Sequence, residues 1–261
     1  MLYQAFGSLV GQGRWQPRID VGNFVIALAG RPRRGWHVDL SFPGDTGGAA
    51  LDDYFTWRDN VRSRGRALLM LFLFSDVGQD DAPTRIRVGS HFPMARLLDT
   101  AGKAGIGQMP LRDVGNQCEV ALAIGEAAAV YLYHPFLIHA AQKHRGRTAR
   151  FVSPPPLGTA VPLRLQRSDS TYSPVEIAIR AALRASPSRS LNTRWRPCDA
   201  LAILGIVADF LAPLPSHRCR VSAADIAAPR VRLKTVVRAD PAPGCVKPDQ
   251  TWRTNDAILR T

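Results

Sequence analysis

Short apolar runs of strand length recur through the first 186 residues, separated by turns rich in glycine and proline. The run at 67–74 is apolar throughout, as expected of a strand buried on both faces. The run at 84–88 alternates polar and apolar residues, as a half-buried strand does. Few stretches have helical spacing. The pattern predicts a mainly β chain, an antiparallel double-sheet barrel of the jelly-roll type with a few flanking helices. Other predicted strands lie at 21–29, 35–42, 127–133 and 149–153.

The chain of 261 residues is expected to have two parts. Residues 1–186 contain the predicted strands of the barrel and form one domain in this interpretation. Residues 187–261 follow a Ser-Pro-Ser-Arg-Ser linker and form a basic tail, either a small appendage or a largely disordered segment. Within it we expect a helix at about 199–211 and a strand at 230–238. A capping box of Ser173 and Glu176 predicts a helix that ends near residue 185.

The net charge of +13 is high, and nearly half of the excess lies in residues 187–261. A basic balance raises the expectation of nucleic-acid or anion binding. No lysine-rich run and no basic patch interleaved with aromatic residues accompanies it in the sequence. The composition therefore argues against nucleic acid as a partner.

Cysteine spacing and hydropathy bear on the compartment. The four cysteines lie far apart without a C-x-x-C pair, which supports neither a zinc site nor a disulfide framework. The N-terminus has no basic region followed by an apolar one. The longest apolar run, at 200–214, is interrupted by Asp209 and Pro213 and is too short to span a bilayer. We therefore expect a cytoplasmic protein without a membrane segment.

A histidine and an aspartate lie two residues apart in the run Gly-Trp-His-Val-Asp-Leu at 35–40. Because side chains alternate along a strand, His37 and Asp39 would project to the same side. An imidazole and a carboxylate are two of the three ligands of a facial iron site, which needs one more histidine. The pair by itself also fits a hydrogen-bonded pair on a partly exposed strand.

The other five histidines are candidates for the third ligand. His91, His144 and His217 are expected to be hydrogen-bonded or solvated residues of turns and loops. His134 and His139 share one apolar segment, where burying an imidazole costs free energy unless it finds a partner. The residues alone leave both open, either as the ligand or as a hydrogen-bonded core histidine.

Arg150 lies eleven residues after His139, in another strand-like segment. Arginine is suited to gripping a carboxylate through two parallel hydrogen bonds. If His139 and Arg150 occupy neighbouring strands around a metal, the arginine would anchor the far carboxylate of a dicarboxylate co-substrate. This spacing favours His139 over His134.

The ordered set of H-x-D at 37–39, G-S-H at 89–91, a histidine at 139 and an arginine eleven residues later resembles the phytanoyl-CoA dioxygenase family of iron(II)/2-oxoglutarate oxygenases. The run H-P-F-L-I-H-A-A-Q-K-H-R-G-R-T-A-R-F at 134–151 is similar to the family segment that carries the distal metal ligand. The resemblance covers roughly residues 20–185. It implies a double-stranded β-helix, a cupin-like jelly roll.

The resemblance implies that His37, Asp39 and His139 bind Fe(II) and that Arg150 binds the distal carboxylate of 2-oxoglutarate. The implied activity is that of a dioxygenase, an oxidoreductase that uses O2 to hydroxylate or otherwise oxidise a small molecule or acyl derivative. Succinate and CO2 would be the co-products.

The resemblance extends to residues around the metal. Trp57 and Thr84 would help to line the pocket of the co-substrate, and His134 is the reserve ligand. Ala141 departs from the family, which often has a hydroxyl residue at that position.

Only 36 residues precede the H-x-D pair, fewer than the family usually has. We therefore expect an N-terminally shortened chain, with an atypical tail, whose activity is in doubt. Two alternatives stay open. One is a catalytically inactive jelly-roll remnant that acts as a binding or structural module, and the other is a basic nucleic-acid-binding protein that uses the tail.

Overall fold

The computed structural model describes residues 2–29, 35–44, 53–62 and 65–184, together with the backbones of three strands further along the chain. The helices in these parts are α1 (Leu2–Val10), α2 (His91–Thr100) and α3 (Pro174–Arg184), and a 3-10 turn spans Tyr54–Thr56. The strands are β1 (Val25–Ala27), β2 (Phe42–Pro43), β3 (Trp57–Arg58), β4 (Leu68–Leu73), β5 (Thr84–Arg87), β6 (Val120–Ala123), β7 (Val130–Tyr133), β8 (His139–Ala140), β9 (Arg150–Ser153) and β10 (Pro156–Leu157). For three further strands only the backbone is described, namely β11 (Ile203–Ala208), β12 (Val231–Thr235) and β13 (Asn255–Ala257).

The strands form antiparallel sheets. The major sheet has the order β1-β9-β4-β7-β11-β12-β13, with β10 beside β4, and the minor sheet has the order β6-β5-β8. Strands β2 and β3 pair with each other in a separate two-stranded antiparallel sheet. The described residues are therefore mainly β with few helices, a jelly-roll arrangement, and the fold class predicted from the sequence is confirmed.

Two apolar clusters form the core, one on each face of the major sheet. Leu68 and Met70 of β4 belong to the cluster that includes residues of α1, α2 and α3. Leu69 and Leu71, which alternate with them, belong to the cluster shared with Ile86 of β5 in the minor sheet. The apolar run at 67–74 is thus buried on both faces, as predicted. The second cluster marks the interior between the two sheets.

The helices cover the outer face of the major sheet. The predicted capping box opens α3, since Ser173 N donates to Glu176 Oε2 (2.9 Å) and Glu176 N donates to Ser173 Oγ (3.3 Å). No helix of the described part has the length and apolar character needed to cross a membrane.

The sequence predictions were wrong in three places. The run at 35–42 is not a regular strand, because only His37 forms a bridge there and β2 begins at Phe42. Helix α1 was not expected, although its face with Phe6 and Val10 is buried. In the tail, the backbone of Ile203–Ala208 is a strand paired with β7, where a helix was expected.

The division of the chain at residue 186 remains a prediction, because most of residues 187–261 lie outside the described residues. The same holds for nucleic-acid binding through this tail and for a cytoplasmic location. His217 also lies outside the described residues.

Candidate metal centre

His37 and His139 are held side by side by their backbones. His37 N donates to the carbonyl oxygen of His139 (3.0 Å), and His139 N donates to that of His37 (2.9 Å). The imidazole centroids are 4.5 Å apart. His139 belongs to β8 and lies opposite Ile86 of β5. The minor sheet therefore fixes the position of both rings.

Asp39 brings a carboxylate to the same place. Its Oδ1 is 3.8 Å from Nε2 of His139, and its Oδ2 is 3.8 Å from Nη1 of Arg66. One ligand atom from each of His37, Asp39 and His139 lies within 4.8 Å of the other two. Among the described residues, this is the one group of three or more His, Cys, Asp or Glu side chains arranged in this way.

The environment of Asp39 favours its charged form. Burial by itself raises the pKa of a carboxyl, because the carboxylate loses hydration. His139, Arg66 and His37 together outweigh this effect, and the pKa of Asp39 lies below its ordinary value. The ionised carboxylate is the form that binds a divalent cation.

Backbone carbonyls select the same tautomer in both histidines. Nδ1 of His37 lies 3.0 Å from the carbonyl oxygen of Gly35, and Nδ1 of His139 lies 3.0 Å from that of Leu137. A carbonyl only accepts, so Nδ1 carries the hydrogen in both rings. Nε2 then keeps its lone pair, and a backbone carbonyl behind the other nitrogen is the usual support of a metal-binding histidine. The donor set fits a divalent metal.

Arg150 and Tyr133 form a second polar site between the sheets. Arg150, on β9, donates from Nη1 to the carbonyl oxygen of Ala82, while its buried Nε has no partner among the described residues. The buried hydroxyl of Tyr133, on β7, likewise lacks a partner there. Burial lowers the pKa of Arg150 and raises that of Tyr133, and each side chain offsets part of the shift in the other. Because buried polar groups are nearly always hydrogen-bonded, the two unsatisfied donors fit a carboxylate.

The strand registers place these groups around one interior. Tyr133 and Ile86 both belong to the cluster between the sheets. His139 lies opposite Ile86 across an antiparallel pair, so the two side chains share a face. Thr84 precedes Ile86 by two positions in β5 and faces the same way. The predicted residue Thr84 is thus directed toward the interior that contains Tyr133.

Trp57 occupies a position beside the triad segment. Its ring packs against that of Tyr54, with centroids 5.6 Å apart. The Tyr54 hydroxyl accepts a hydrogen bond from Leu40 N (2.7 Å), one residue after Asp39. Trp57 therefore supports the chain that carries Asp39, and its contact with a co-substrate remains a prediction.

The reserve ligand His134 is not part of the triad. It is buried beside His91, with ring centroids 4.7 Å apart, and its Nδ1 accepts from Phe136 N (3.1 Å). His91 and His144 are also buried, and their ring nitrogens have no partner among the described residues. The expectation that these two are solvated or hydrogen-bonded was therefore wrong.

A narrow cleft adjoins the triad at His37. Its volume is about 20 Å³, room for about one water molecule. Its walls are mostly apolar, and Asp59 is the one acidic residue among them. The lining residues are His37, Val38, Leu40, Asp59, Met94, Ile106, Gly107, Gln108, Met109 and Leu111.

Sequence reasoning missed Tyr133 and Asp59. The tyrosine was read only as part of an apolar strand, and the aspartate followed an acidic and aromatic cluster with no motif. Alternation along β7 would have placed Tyr133 on one face with Tyr131, but only the pairing of β7 and of β9 with β4 between them relates it to Arg150. No local signal marks Asp59.

Comparisons of the sequence with known proteins do not identify a family. No protein-family model matches the chain, and no curated protein matches it. Membership of the phytanoyl-CoA dioxygenase family therefore remains a prediction. Among solved structures, the chain is similar to SnoK, described as a non-heme alpha-ketoglutarate-dependent carbocyclase from nogalamycin biosynthesis.

The similarity to SnoK is remote. The TM-score is 0.38 at 14% sequence identity, and the match covers 58% of this chain. It covers 50% of SnoK, so the aligned part is half of that chain. At this level we take nothing about activity from the match.

Proposed function

We propose that this protein is an iron(II)- and 2-oxoglutarate-dependent oxygenase that acts on a small molecule. The observation that carries the proposal is the group of His37, Asp39 and His139, with both histidines oriented by backbone carbonyls. Two histidines and one carboxylate on one face are the ligand set of non-haem Fe(II) oxygenases. A divalent ion would draw the three ligand atoms closer together.

Each part of the chain has a defined task in this proposal. His37, Asp39 and His139 would hold the ion and leave room for the co-substrate and O2 to bind it. The chemistry supplied by bound Fe(II) and 2-oxoglutarate is the activation of O2, with one oxygen atom entering succinate and the other the substrate as CO2 is released. Arg66 lies beside Asp39 and favours its ionised form.

The interior polar site would orient the co-substrate. Arg150 Nε and the Tyr133 hydroxyl, both without partners in the described part, would donate to the distal carboxylate of 2-oxoglutarate. Thr84 faces this interior and would line it, as would Trp57 in the predicted arrangement. Tyr133 would also supply a hydroxyl group in place of the one that the resembled family often has at the position of Ala141. Burial between the sheets strengthens such hydrogen bonds because water does not compete for them.

Anaerobic titration of the purified protein with Fe(II) and 2-oxoglutarate tests the proposal. We expect one Fe(II) per chain and a weak visible charge-transfer band that needs both additions. His37→Ala and His139→Ala should abolish the band. His134→Gln is the matched control, because it changes a buried histidine outside the triad, and it should retain the band.

Two further results bear on the proposal. Arg150→Lys should weaken 2-oxoglutarate binding without loss of Fe(II), whereas Arg147→Lys, an exposed neighbour, should have no effect. A folded wild-type protein that gives no band, or a band that persists in His37→Ala, would contradict the proposal. Succinate release under O2 then separates an active enzyme from an inactive jelly-roll remnant.

A further inference from the structure

An exposed apolar patch lies on the outer face of the major sheet, at the end formed by β1. Phe151 of β9 lies opposite Ile26 of β1, and Phe74 N donates to Phe151 O (2.9 Å). The ring of Phe24 packs against that of Phe74, with centroids 4.8 Å apart. Contiguous exposed apolar patches commonly mark interaction sites. Five side chains, each between 39% and 52% exposed, form what we call the β1 patch: Phe24, Ile26, Leu28, Phe74 and Phe151.

Strand β1 also has an open backbone edge. It is the outermost strand of the major sheet, and no strand in the described part of the chain pairs with its other side. Phe151 N donates to Ser75 Oγ (3.0 Å) and Phe151 O accepts from Phe74, so the backbone groups of Phe151 point away from β1. In such an antiparallel pair, the groups of the opposite residue point away as well. The N–H and C=O of Ile26 therefore face the open edge.

The sequence of β1 does nothing to protect this edge. The run V-G-N-F-V-I-A-L-A at 21–29 contains no charge and no proline, two devices that usually keep an edge strand from pairing. A lipid surface could cover the apolar side chains, but it offers no partner for the N–H and C=O of Ile26. Another strand supplies both kinds of contact. The open edge thus favours a strand as the occupant.

The charges at the two ends of this run are opposite in sign. Asp20 precedes it, and arginines follow it in the sequence at 31, 33 and 34. Asp20 pairs with Arg18 of its own chain, yet the Asp20 side chain stays 64% exposed. Antiparallel pairing of two copies of the run would bring the acidic end of each copy to the basic end of the other. The run is therefore complementary in charge to itself.

We propose that β1 pairs antiparallel with β1 of a second copy of this chain, so that the major sheet continues across a two-fold axis. The register places Ile26 opposite the partner's Ile26 and Phe24 opposite the partner's Leu28. Because residues 24, 26 and 28 alternate with those that face the interior, this register joins the two β1 patches into one apolar surface. A contact of this symmetry closes at the dimer.

Sedimentation velocity of the full-length protein, at about 1 to 200 µM and without added Fe(II), tests the proposal. A reducing agent is present, so that the four cysteines do not cross-link the copies. We expect a reversible dimer with twice the chain mass of 28.6 kDa. The dissociation constant should be about 1–100 µM, because one strand edge with its patch is small for an interface.

Ile26→Lys should raise the dissociation constant at least about tenfold, since it places two like charges opposite each other at the axis. Ile177→Lys is the matched control, because Ile177 is an exposed isoleucine of α3 and is 53% exposed, and it should dimerise like wild type. Ile26→Pro keeps an apolar side chain but removes the outward N–H, which β9 does not use. It should also be monomeric, with the thermal unfolding temperature of wild type.

A wild-type protein that stays monomeric at every concentration would overturn the proposal. So would a dimer that persists in Ile26→Lys, or one that Ile177→Lys weakens equally, and these two outcomes hold even if Ile26→Pro folds poorly. Co-sedimentation with vesicles of phosphatidylcholine and phosphatidylserine tests the other occupant. Monomeric wild type that binds these vesicles, with binding lost in Ile26→Lys, would overturn the dimer in favour of a lipid surface.

Discussion

The hydroxyl of Tyr133 and the Nε of Arg150 show how single residues determine what this interior can bind. Both groups are buried and lack partners in the described part of the chain. Two buried donors without acceptors destabilise the folded protein unless a ligand supplies the acceptors. A carboxylate bound at this site would accept hydrogen bonds from both donors and offset this free-energy cost.

Tyr133→Phe removes one of the two donors and little else. We expect the dissociation constant for 2-oxoglutarate, measured anaerobically in the Fe(II) protein, to rise about threefold to tenfold, the usual worth of one hydrogen bond. Tyr131→Phe is the control, since the Tyr131 hydroxyl already donates to Ile124 O. Unchanged affinity in Tyr133→Phe would show that the hydroxyl does not contact the co-substrate.

Asp59 should also make stability depend on pH. Burial raises the pKa of the Asp59 carboxyl from 3.8 to about 7, although hydrogen bonds from Ser41 and Asn60 act against the shift. Between these values the folded state holds a proton that the unfolded state has released, so the contribution of Asp59 to the free energy of unfolding falls as pH rises from about 4 to 7.

Urea unfolding of wild type and Asp59→Asn checks this dependence. The variant cannot titrate, so the stability of wild type relative to the variant should decline across pH 4 to 7 and be constant above about pH 8. A difference that does not change with pH would mean that the carboxyl titrates normally. Fe(II) is omitted so that metal binding does not contribute.

The third ligand illustrates what could be predicted at the residue scale. His134 and His139 are alike in sequence surroundings, and both are in the apolar segment after β7. The structure brings His139 to His37 and Asp39, while His134 stacks on His91. The spacing to Arg150 favoured His139 in the sequence, but the register that brings it to His37 depends on contacts between residues distant in the chain.

At the scale of elements, α3 depends on one buried carboxylate. Glu176 accepts from Arg14 Nη1 (2.8 Å), Arg164 N (2.7 Å) and Ser173 N (2.9 Å). It thus caps α3 and also ties this helix to the segments before it and to the loop after α1. The capping box was visible in the sequence, but its contacts with Arg14 and Arg164 were not.

Glu176→Ala should destabilise the protein by about 2–4 kcal/mol, because it leaves Arg14 and two backbone donors without their acceptor. Chemical denaturation measures the loss. Asp169→Ala removes an exposed carboxylate from its pair with Arg167 and should change stability far less. Equal losses of unfolding free energy in the two variants would show that the buried contacts of Glu176 contribute no more than an exposed ion pair.

Gly65 allows the chain after β3 to pass close to the segment that carries Asp39. A Cβ at this position would lie 1.8 Å from the carbonyl oxygen of Ser41, a backbone atom that cannot move independently. Gly65→Ala should therefore cost about 2 kcal/mol or more and shift Asp39 relative to Arg66.

Thermal unfolding and Fe(II) titration check this effect together. Gly35→Ala is the control, because a Cβ there meets nothing within 4 Å although Gly35 is close to His37 in sequence. Both stability and Fe(II) affinity should fall in Gly65→Ala and remain unchanged in the control. A Gly65→Ala protein with wild-type stability would contradict the close approach.

Several of the longer strands were predictable because their apolar runs are followed by turns with glycine or proline. The predictions at 67–74, 84–88 and 149–153 correspond closely to β4, β5 and β9. The segment with His37 was not a regular strand, because its polar side chains face a site and only one residue is paired with β8. The backbone of β11 is extended because it pairs with β7, a tertiary contact that helical periodicity does not reveal.

At the scale of the whole molecule, two buried histidines connect helix α2 to the major sheet. His91 opens α2, and its ring packs on that of His134, which follows β7. Burial lowers the pKa of His91 from 6.5 to about 3 and lowers that of His134, to which the neighbouring His91 also contributes. Both are neutral in the folded protein at physiological pH.

The contribution of these two histidines to stability should consequently decline in mild acid, opposite in sign to that of Asp59. The unfolded chain takes up protons on these histidines below about pH 6.5, while the folded state does not until far lower pH, so unfolding becomes easier as pH falls. His91→Phe should lose less stability than wild type between pH 7 and 4.5 in urea unfolding. Parallel pH profiles for the two proteins would contradict this account.

The fold class was the most predictable property of the whole molecule, since many short strands with few helices have few ways to bury their apolar faces. The arrangement of the sheets could not be derived from the sequence. Strand order, and with it the grouping of His37 with His139, depends on pairings across long stretches of chain.

The backbone pairing of His37 with His139 has a consequence for folding. These residues enclose about a hundred residues of chain, including β4 to β7 and α2, and bringing such distant points together costs the unfolded chain entropy. A cation bound to both rings would act as a reversible cross-link at that closure, comparable in effect to a disulfide. Under the proposed function, an enzyme that lost its metal would therefore unfold more readily, and the supply of iron would set its lifetime as well as its activity.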